Sequence, residues 1–306
     1  MWKLDGTAPE VIEARVLSTL PAALAKPVRS EWADANKGGD IAASFLEGPA
    51  FDREGNLWLV DIPHGRVLRV SPSLSWDVVA ETGGWPNGLA IHRDGTIWIA
   101  DYRRGLLALD PKRGTIATIL GHRNSESFKG LNDLVFDARG NCYFTDQGQT
   151  GLHDPTGRVY RLRADGGLDL LLSTVPSPNG IALDAHGKVL FVAATRANAV
   201  WRGPLQPDGS TSKVGAFRTF FGASGPDGLA MDAEGRLVVA HASLRGAFVL
   251  NALGEVTHLV KSPVGTTVTN AAFRPGTSTL VLTESSTGTV LEAVLPGVGL
   301  GLFSHS

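Results

Sequence analysis

Residues Leu46 to Asp61 read LEGPAFDREGNLWLVD, and the pattern returns four times: PNGLAIHRDGTIWIAD from Pro86, LNDLVFDARGNCYFTD from Leu131, PNGIALDAHGKVLFVA from Pro178 and PDGLAMDAEGRLVVAH from Pro226. A weaker sixth copy, TNAAFRPGTSTLVLTE, begins at Thr269. A period of about 40 to 50 residues decides the architecture, because such a unit cannot bury its own apolar face and must stack on its neighbours. Within each copy, apolar residues alternate on both sides of an Asp-x-x-Gly-like centre, which is the signature of strand, tight turn and strand. The turn glycines are Gly55, Gly95, Gly140, Gly187 and Gly235, at the place where a type I turn followed by a bulge needs a left-handed residue. Asp52, Asp137, Asp184 and Asp232 are accordingly expected to hydrogen-bond turn backbone rather than to do chemistry. The sixth copy carries Arg274-Pro275-Gly276 there, so its turn should differ.

A further strand-like run follows each pair, as at Arg66 to Val70, Val159 to Leu162 and Val290 to Leu295. Three or four strands per repeat make a propeller blade, and six blades arranged radially leave only short edges. The expected fold class is therefore all-β, a six-bladed β-propeller over residues 45–306. Residues 1–44 form an N-terminal extension: Ala14-Arg15-Val16-Leu17 is a candidate strand closing the ring with the last blade, and Lys26 to Asp40 reads as a loop. Long amphipathic helices between strands, which a parallel α/β fold requires, are absent from the pattern.

The bulk properties bound the partners. Of 306 residues, 43% are hydrophobic and 19% charged, and 28 basic against 30 acidic residues leave a net charge of −2. That composition suits a globular chain with a large core, and without basic runs it lacks the electrostatic footprint of a nucleic-acid binder. The start, Met1-Trp2-Lys3-Leu4-Asp5, has no apolar signal core, and no stretch is apolar for long enough to span a bilayer. A cytoplasmic protein acting on a small molecule is expected, with neither nucleic acid nor membrane as partner. The lone cysteine, Cys142, sits among apolar residues in an expected strand and reads as a buried hydrophobe rather than a nucleophile.

One polar residue opens each innermost strand: Glu47, Asn87, Asn132, Asn179, Asp227 and Asn270. In five copies it stands eight positions before the turn glycine, so the residues are equivalent. Innermost strands line the central channel of a propeller, which would gather six oxygen-bearing side chains in a ring. Two carboxylates and several amide carbonyls are the hard donors that Ca²⁺ or a similar cation prefers, and two carboxylates neutralise a divalent charge. No histidine or cysteine joins the ring, which argues against a zinc or copper site. Pro-Asn-Gly and Pro-Asp-Gly are also good turn sequences, so at any one position the bland reading competes with the functional one.

With these motifs the chain resembles the SMP-30/gluconolactonase/LRE-like (regucalcin-like) six-bladed β-propellers, and the resemblance extends to drug-responsive lactonases. It spans roughly Leu46 to Val294 and rests on Leu46-Glu47-Gly48-Pro49, Leu131-Asn132-Asp133, Pro178-Asn179-Gly180 and Pro226-Asp227-Gly228. The resemblance implies a divalent metal, commonly Ca²⁺ and sometimes Zn²⁺, Mg²⁺ or Mn²⁺, held by Glu47, Asn132, Asn179 and Asp227. It implies hydrolysis of a small lactone, with a sugar-acid lactone as the expected substrate. Where members acting on aldonolactones often carry an arginine two residues before the third-copy asparagine, this chain has Gly130 with Lys129 beside it. Asn270 stands where squid-type phosphotriesterases have a histidine.

The expected chemistry is a carbonyl polarised by the metal and an activated water, with Asp227 as the base. Asn87, Asp133 and Asn270 are candidates for orienting the ligands, and Arg103 and His153 for contacting substrate. Arg104 and Arg196 could also meet a substrate carboxylate or hydroxyls; His153 and His241 read equally as loop or packing residues. The loop from Asp146 to Gly157, which holds His153, is the expected lid. A phosphotriesterase-type hydrolase and a non-catalytic NHL-like binding propeller remain alternatives; a scaffold would need neither Glu47 nor Asp227.

Overall fold

Five four-stranded sheets and one five-stranded sheet account for nearly all of the regular structure in the computed structural model, which describes residues 4–306. The first blade runs Leu46–Phe51, Leu57–Asp61, Arg66–Val70 and Trp76–Glu81, each strand antiparallel to the next. The second, third, fourth and fifth blades repeat this order from Pro86–Ile91, Leu131–Phe136, Pro178–Leu183 and Pro226–Met231. The sixth takes three strands from Val268–Phe273, Thr279–Glu284 and Thr289–Val294 and borrows its outermost, Arg15–Thr19, from the N-terminal side of the chain. Glu10–Glu13 adds a fifth strand, parallel to Val256–Lys261, on the rim of the fifth blade. One stretch of chain therefore stitches blades five and six together from outside, in addition to the Arg15–Thr19 pairing that closes the ring. Each innermost strand touches its counterparts on either side, first with second through sixth with first.

The core is divided among the seams. Ala50, Trp58, Leu89 and Ile99 belong to a cluster shared by blades one and two, while Leu46, Leu59, Val281 and Val290 pack in the seam of blades six and one. Comparable clusters fill the other four seams. Each inner strand is covered on both faces, which is why Leu46–Phe51 is buried throughout, whereas the rim strand Trp76–Glu81 alternates with solvent. Burying one Leu-sized side chain contributes about 1.5–3 kcal/mol, so the seams carry the stability of the ring.

The turns follow the sequence pattern. The N–H groups of Gly55, Gly95, Gly140, Gly187 and Gly235 close the turns on Asp52, His92, Asp137, Asp184 and Asp232. The four aspartate side chains accept backbone N–H groups of the same turns, for example Asn56 N at 2.8 Å from Asp52 Oδ1. In the sixth blade the closing donor is Thr277 N rather than a glycine.

One expectation fails. Residues 26–40 are not all loop: Glu31–Asn36 is a helix, capped by Ser30 Oγ on Ala33 N at 3.2 Å. Trp32 and Ala33 are buried beneath it against Ile62, with Phe45 and Trp85 alongside, and this local apolar cluster outweighs the absence of a long periodic pattern. At the opposite end of the ring, the last residues lie across the turns. Leu300 N donates to Met231 O, Phe303 packs against His92 and Phe136, and Arg53 Nε reaches Ser304 O at 2.8 Å. No helix among the described residues is long and apolar enough to cross a membrane.

Candidate metal centre and its mouth

Each innermost strand slips register at its axial residue. The irregularities fall between Glu47 and Ala50, Pro86 and Gly88, Leu131 and Leu134, Pro178 and Ile181, Pro226 and Leu229, and Val268 and Asn270. A bulge adds a residue to one strand and re-aims a side chain that strict alternation would leave in the seam. Glycine in the next position lets neighbouring strands approach: a Cβ on Gly228 would lie 2.1 Å from Asn270 Oδ1. Glu47, Asn87, Asn132, Asn179, Asp227 and Asn270 are all buried, 6–9% exposed.

The two acids share a field. Asp227 is pushed well above the usual carboxylate range, first by burial and then by the charges of Glu47 and Asp133. Glu47 is raised to about 8, again first by burial, with hydrogen bonds from Asn270 and Gly48 opposing. Asn270 Nδ2 donates to Glu47 Oε2 at 2.9 Å, and Gly48 N reaches the same oxygen at 3.0 Å. Asp227 Oδ1 is buried and has no hydrogen-bond partner among the described residues. An orphaned buried carboxylate oxygen beside a second acid is costly unless a cation answers it.

The amides divide into two roles. Asn270 spends its Nδ2 on Glu47 and its Oδ1 on Ala271 N, so it steadies an acid rather than offering a free oxygen. Asn132 donates Nδ2 to Gln147 Oε1 at 3.0 Å, which leaves its carbonyl oxygen for the axis, and Gln147 is in turn tied to Ser177 Oγ at 2.9 Å. Asn179 occupies the equivalent place in the fourth blade, its backbone oxygen held by Thr145 Oγ1 at 2.8 Å. Asn87 contacts Trp85 O at 3.4 Å. Asp133 does not touch the Asn132 side chain; its carboxylate accepts Leu134 N at 2.9 Å, and burial raises its pKa to about 7. It faces a cavity of about 530 Å³ on the turn side, closed by Leu300, Leu302 and Phe303. Two carboxylates with amide oxygens suit a hard divalent cation, although no group of three or more His, Cys, Asp or Glu gathers among the described residues.

The other face is the mouth. A cavity of about 510 Å³ is lined there by Asn36, Gln147, Thr150, His153 and Arg196, with His153 exposed on its rim. Arg103 does not face it freely: its Nη1 pairs with Glu31 Oε2 at 2.6 Å and its guanidinium lies over the Trp85 ring. Arg104 donates to Thr82 O. Gly130, at φ +150, packs under Tyr102; a Cβ there would stand 2.5 Å from the ring, so a long side chain at this position is sterically barred. Sequence reasoning missed Gln147, which lies in a connection already placed on this face and holds the Asn132 amide. His241 is buried between Phe220 and Phe248, and burial lowers its pKa to about 4. Cys142 is buried, and its thiol pKa is raised by desolvation.

Comparison with known proteins agrees with this architecture. The sequence profile of the SMP-30/Gluconolactonase/LRE-like region matches residues 45–286. The lactonase drp35 of Staphylococcus aureus (strain MRSA252) is 30% identical over 302 residues, covering 91% of this chain and 86% of its own. The lactonase drp35 of Staphylococcus epidermidis (strain ATCC 12228) is 30% identical over 257 residues, 78% of this chain and 77% of its own. Among solved structures, a gluconolactonase from Xanthomonas campestris superposes with a TM-score of 0.75 at 22% identity, covering 94% of this chain and 98% of its own. The calcium-binding protein regucalcin from Agrobacterium tumefaciens gives 0.73 at 22% identity over 97% and 98%. The ring, its bulged axial residues and the matched span together place this chain in the SMP-30/gluconolactonase/LRE-like family of six-bladed β-propellers.

Proposed function

We propose that this protein is a lactonase that depends on one divalent cation held by Glu47, Asn132, Asn179 and Asp227, with Ca²⁺ as the first choice. The observation that carries the reading is the orphaned Asp227 Oδ1 beside Glu47, both acids raised by burial in a ring otherwise made of amides. The lactonases among the relatives supply the reaction class. A cation held by these residues would supply Lewis acidity toward a lactone carbonyl and toward the attacking water.

The chain's own residues do the rest. Asn270 and Gly48 fix the Glu47 carboxylate, and Gln147 fixes the Asn132 amide with its oxygen turned inward. The Asp227 carboxylate, whose Oδ1 has no hydrogen-bond donor among the described residues, serves as the base that accepts the proton of the attacking water. The strap at Glu31–Asn36 and the loop bearing His153 limit solvent at the mouth. A sugar-acid lactone is the substrate class we propose to test first. Proton release from a panel of aldono-, uronic-acid and aliphatic lactones, with Ca²⁺, Zn²⁺, Mg²⁺ and Mn²⁺ in turn, tests the reading. It predicts hydrolysis that a chelator removes and Asp227→Asn abolishes; hydrolysis indifferent to both would overturn it.

A further inference from the structure

The strap over the mouth holds a charge that neither the fold nor the ring needs. Its helix, Glu31–Asn36, is fixed to the first blade through Trp32 and Ile62, to the second through Glu31 and Arg103, and to the third through Asn36 and Gln149 at 3.3 Å. Lys37 follows directly, with its ammonium 4.4 Å from the centroid of Phe45, just before the first blade. Asn36, the residue before it, lines the mouth cavity together with Arg196 of the fourth blade, which puts Lys37 and Arg196 at the same opening. Lys37, held on Phe45, and Arg196, on the cavity wall, thus belong to one face of the ring, and the Lys37 charge opposes the rise in the Asp227 pKa.

Arg196 comes from the other side. It sits in the short turn Thr195–Ala197 after the second strand of the fourth blade and lines the mouth cavity. Neither Lys37 nor Arg196 forms an ion pair among the described residues, whereas Arg103 and Arg104 are committed to Glu31 and to a backbone oxygen. Charge balance shows what is left over. A divalent cation would cancel Glu47 and Asp227, Asp133 faces the turn-side cavity, and Asp40, the remaining acidic neighbour of Lys37, is exposed, as are Lys37 and Arg196, and forms no ion pair with either. Two cations then flank the path to the reacting centre without a partner. An aromatic surface under Lys37 and a fixed turn under Arg196 pre-organise both, which lowers the ordering cost of a bound anion.

We propose that Lys37 and Arg196 form a cationic clamp for a carboxylate on the substrate, so that the preferred lactone is one bearing a free carboxylate besides the ring ester. This rests on the lactonase reading and narrows it to anionic lactones of the uronic or aldaric type. Arginine offers a two-pronged donor to one carboxylate, and lysine adds a point charge.

The test uses two lactones with the same ring, glucono-1,4-lactone and glucaro-1,4-lactone, on the full chain with Ca²⁺ in constant excess. The wild type should favour the anionic lactone at least tenfold in kcat/KM, and Lys37→Met or Arg196→Met should reduce that ratio about tenfold, chiefly through KM. Lys37→Arg and Arg196→Lys should recover most of it, which a merely structural role would not explain. A second readout needs no turnover: tryptophan fluorescence, with Trp32 and Trp85 near the mouth, should show glucuronate binding at least tenfold more tightly than neutral glucose, with the preference lost in the double variant. Hydrolysis of both lactones without an anionic preference would overturn the clamp and leave the lactonase reading intact. A glucuronate preference over glucose without hydrolysis of any lactone would overturn the lactonase reading and keep the clamp. Neither hydrolysis nor preference would overturn both.

Discussion

Asn270 Nδ2 donates to Glu47 Oε2 at 2.9 Å, so an amide of the last blade holds an acid of the first across the seam that closes the ring. Ring closure and site assembly are therefore the same event. Orienting partners of metal ligands contribute about 10–100-fold to metal affinity. Asn270→Ala should weaken divalent-ion binding about tenfold by calorimetry while Tm in chelator changes by only a few degrees.

The raised carboxylates set the pH response of the metal-free protein. A folded acid with a raised pKa keeps its proton where the unfolded chain has lost it, so its contribution is present at low pH and disappears as pH rises through the folded value. With Glu47 at about 8 and Asp227 raised with it, unfolding free energy in chelator should decline between about pH 5 and 8. Saturating Ca²⁺ should flatten that slope. Denaturant melts across this range, with and without chelator, measure both.

His241 gives the opposite slope. Its lowered pKa, about 4, means the folded ring stays neutral while the unfolded one protonates below about pH 6.5, so stability is present above that value and is lost as pH falls toward 4. With saturating Ca²⁺, which flattens the carboxylate slope, His241→Leu should shrink the stability difference between pH 7.5 and pH 5.5 by about 1 kcal/mol, read from urea midpoints.

Gly130 is a steric prediction. Adding a methyl group 2.5 Å from the Tyr102 ring, at φ +150, should cost about 1–3 kcal/mol as overpacking and lower Tm by several degrees. Tyr102→Ala in the same chain should recover part of that loss. An unchanged Tm for Gly130→Ala would show that Tyr102 yields freely.

Repeat spacing made the blades and their axial residues legible, because one polar residue eight positions before each turn glycine marks equivalent places without any tertiary information. The turn aspartates were legible for the same reason, since their partners are four or five residues away. What could not be read was long-range. Asn132 and Gln147 are fifteen residues apart, Asn270 and Glu47 are 223 apart, and neither pairing has a local signal. The strap was missed because six residues are too few for periodicity, and its helix exists through Trp32 packing on Ile62. Arg103 reads as a substrate-facing arginine by position, yet Glu31 engages it, a partner visible only once the strap is placed.

The central claim is that Glu47 and Asp227 together grip one divalent cation, and thermal unfolding of Asp227→Asn tests it most directly. Replacing a buried acid whose raised pKa costs stability at neutral pH should raise Tm in chelator above that of the wild type, while the rise in Tm on adding millimolar Ca²⁺, present in the wild type, should vanish. A variant that loses Tm in chelator yet keeps the full Ca²⁺-dependent rise would contradict the account.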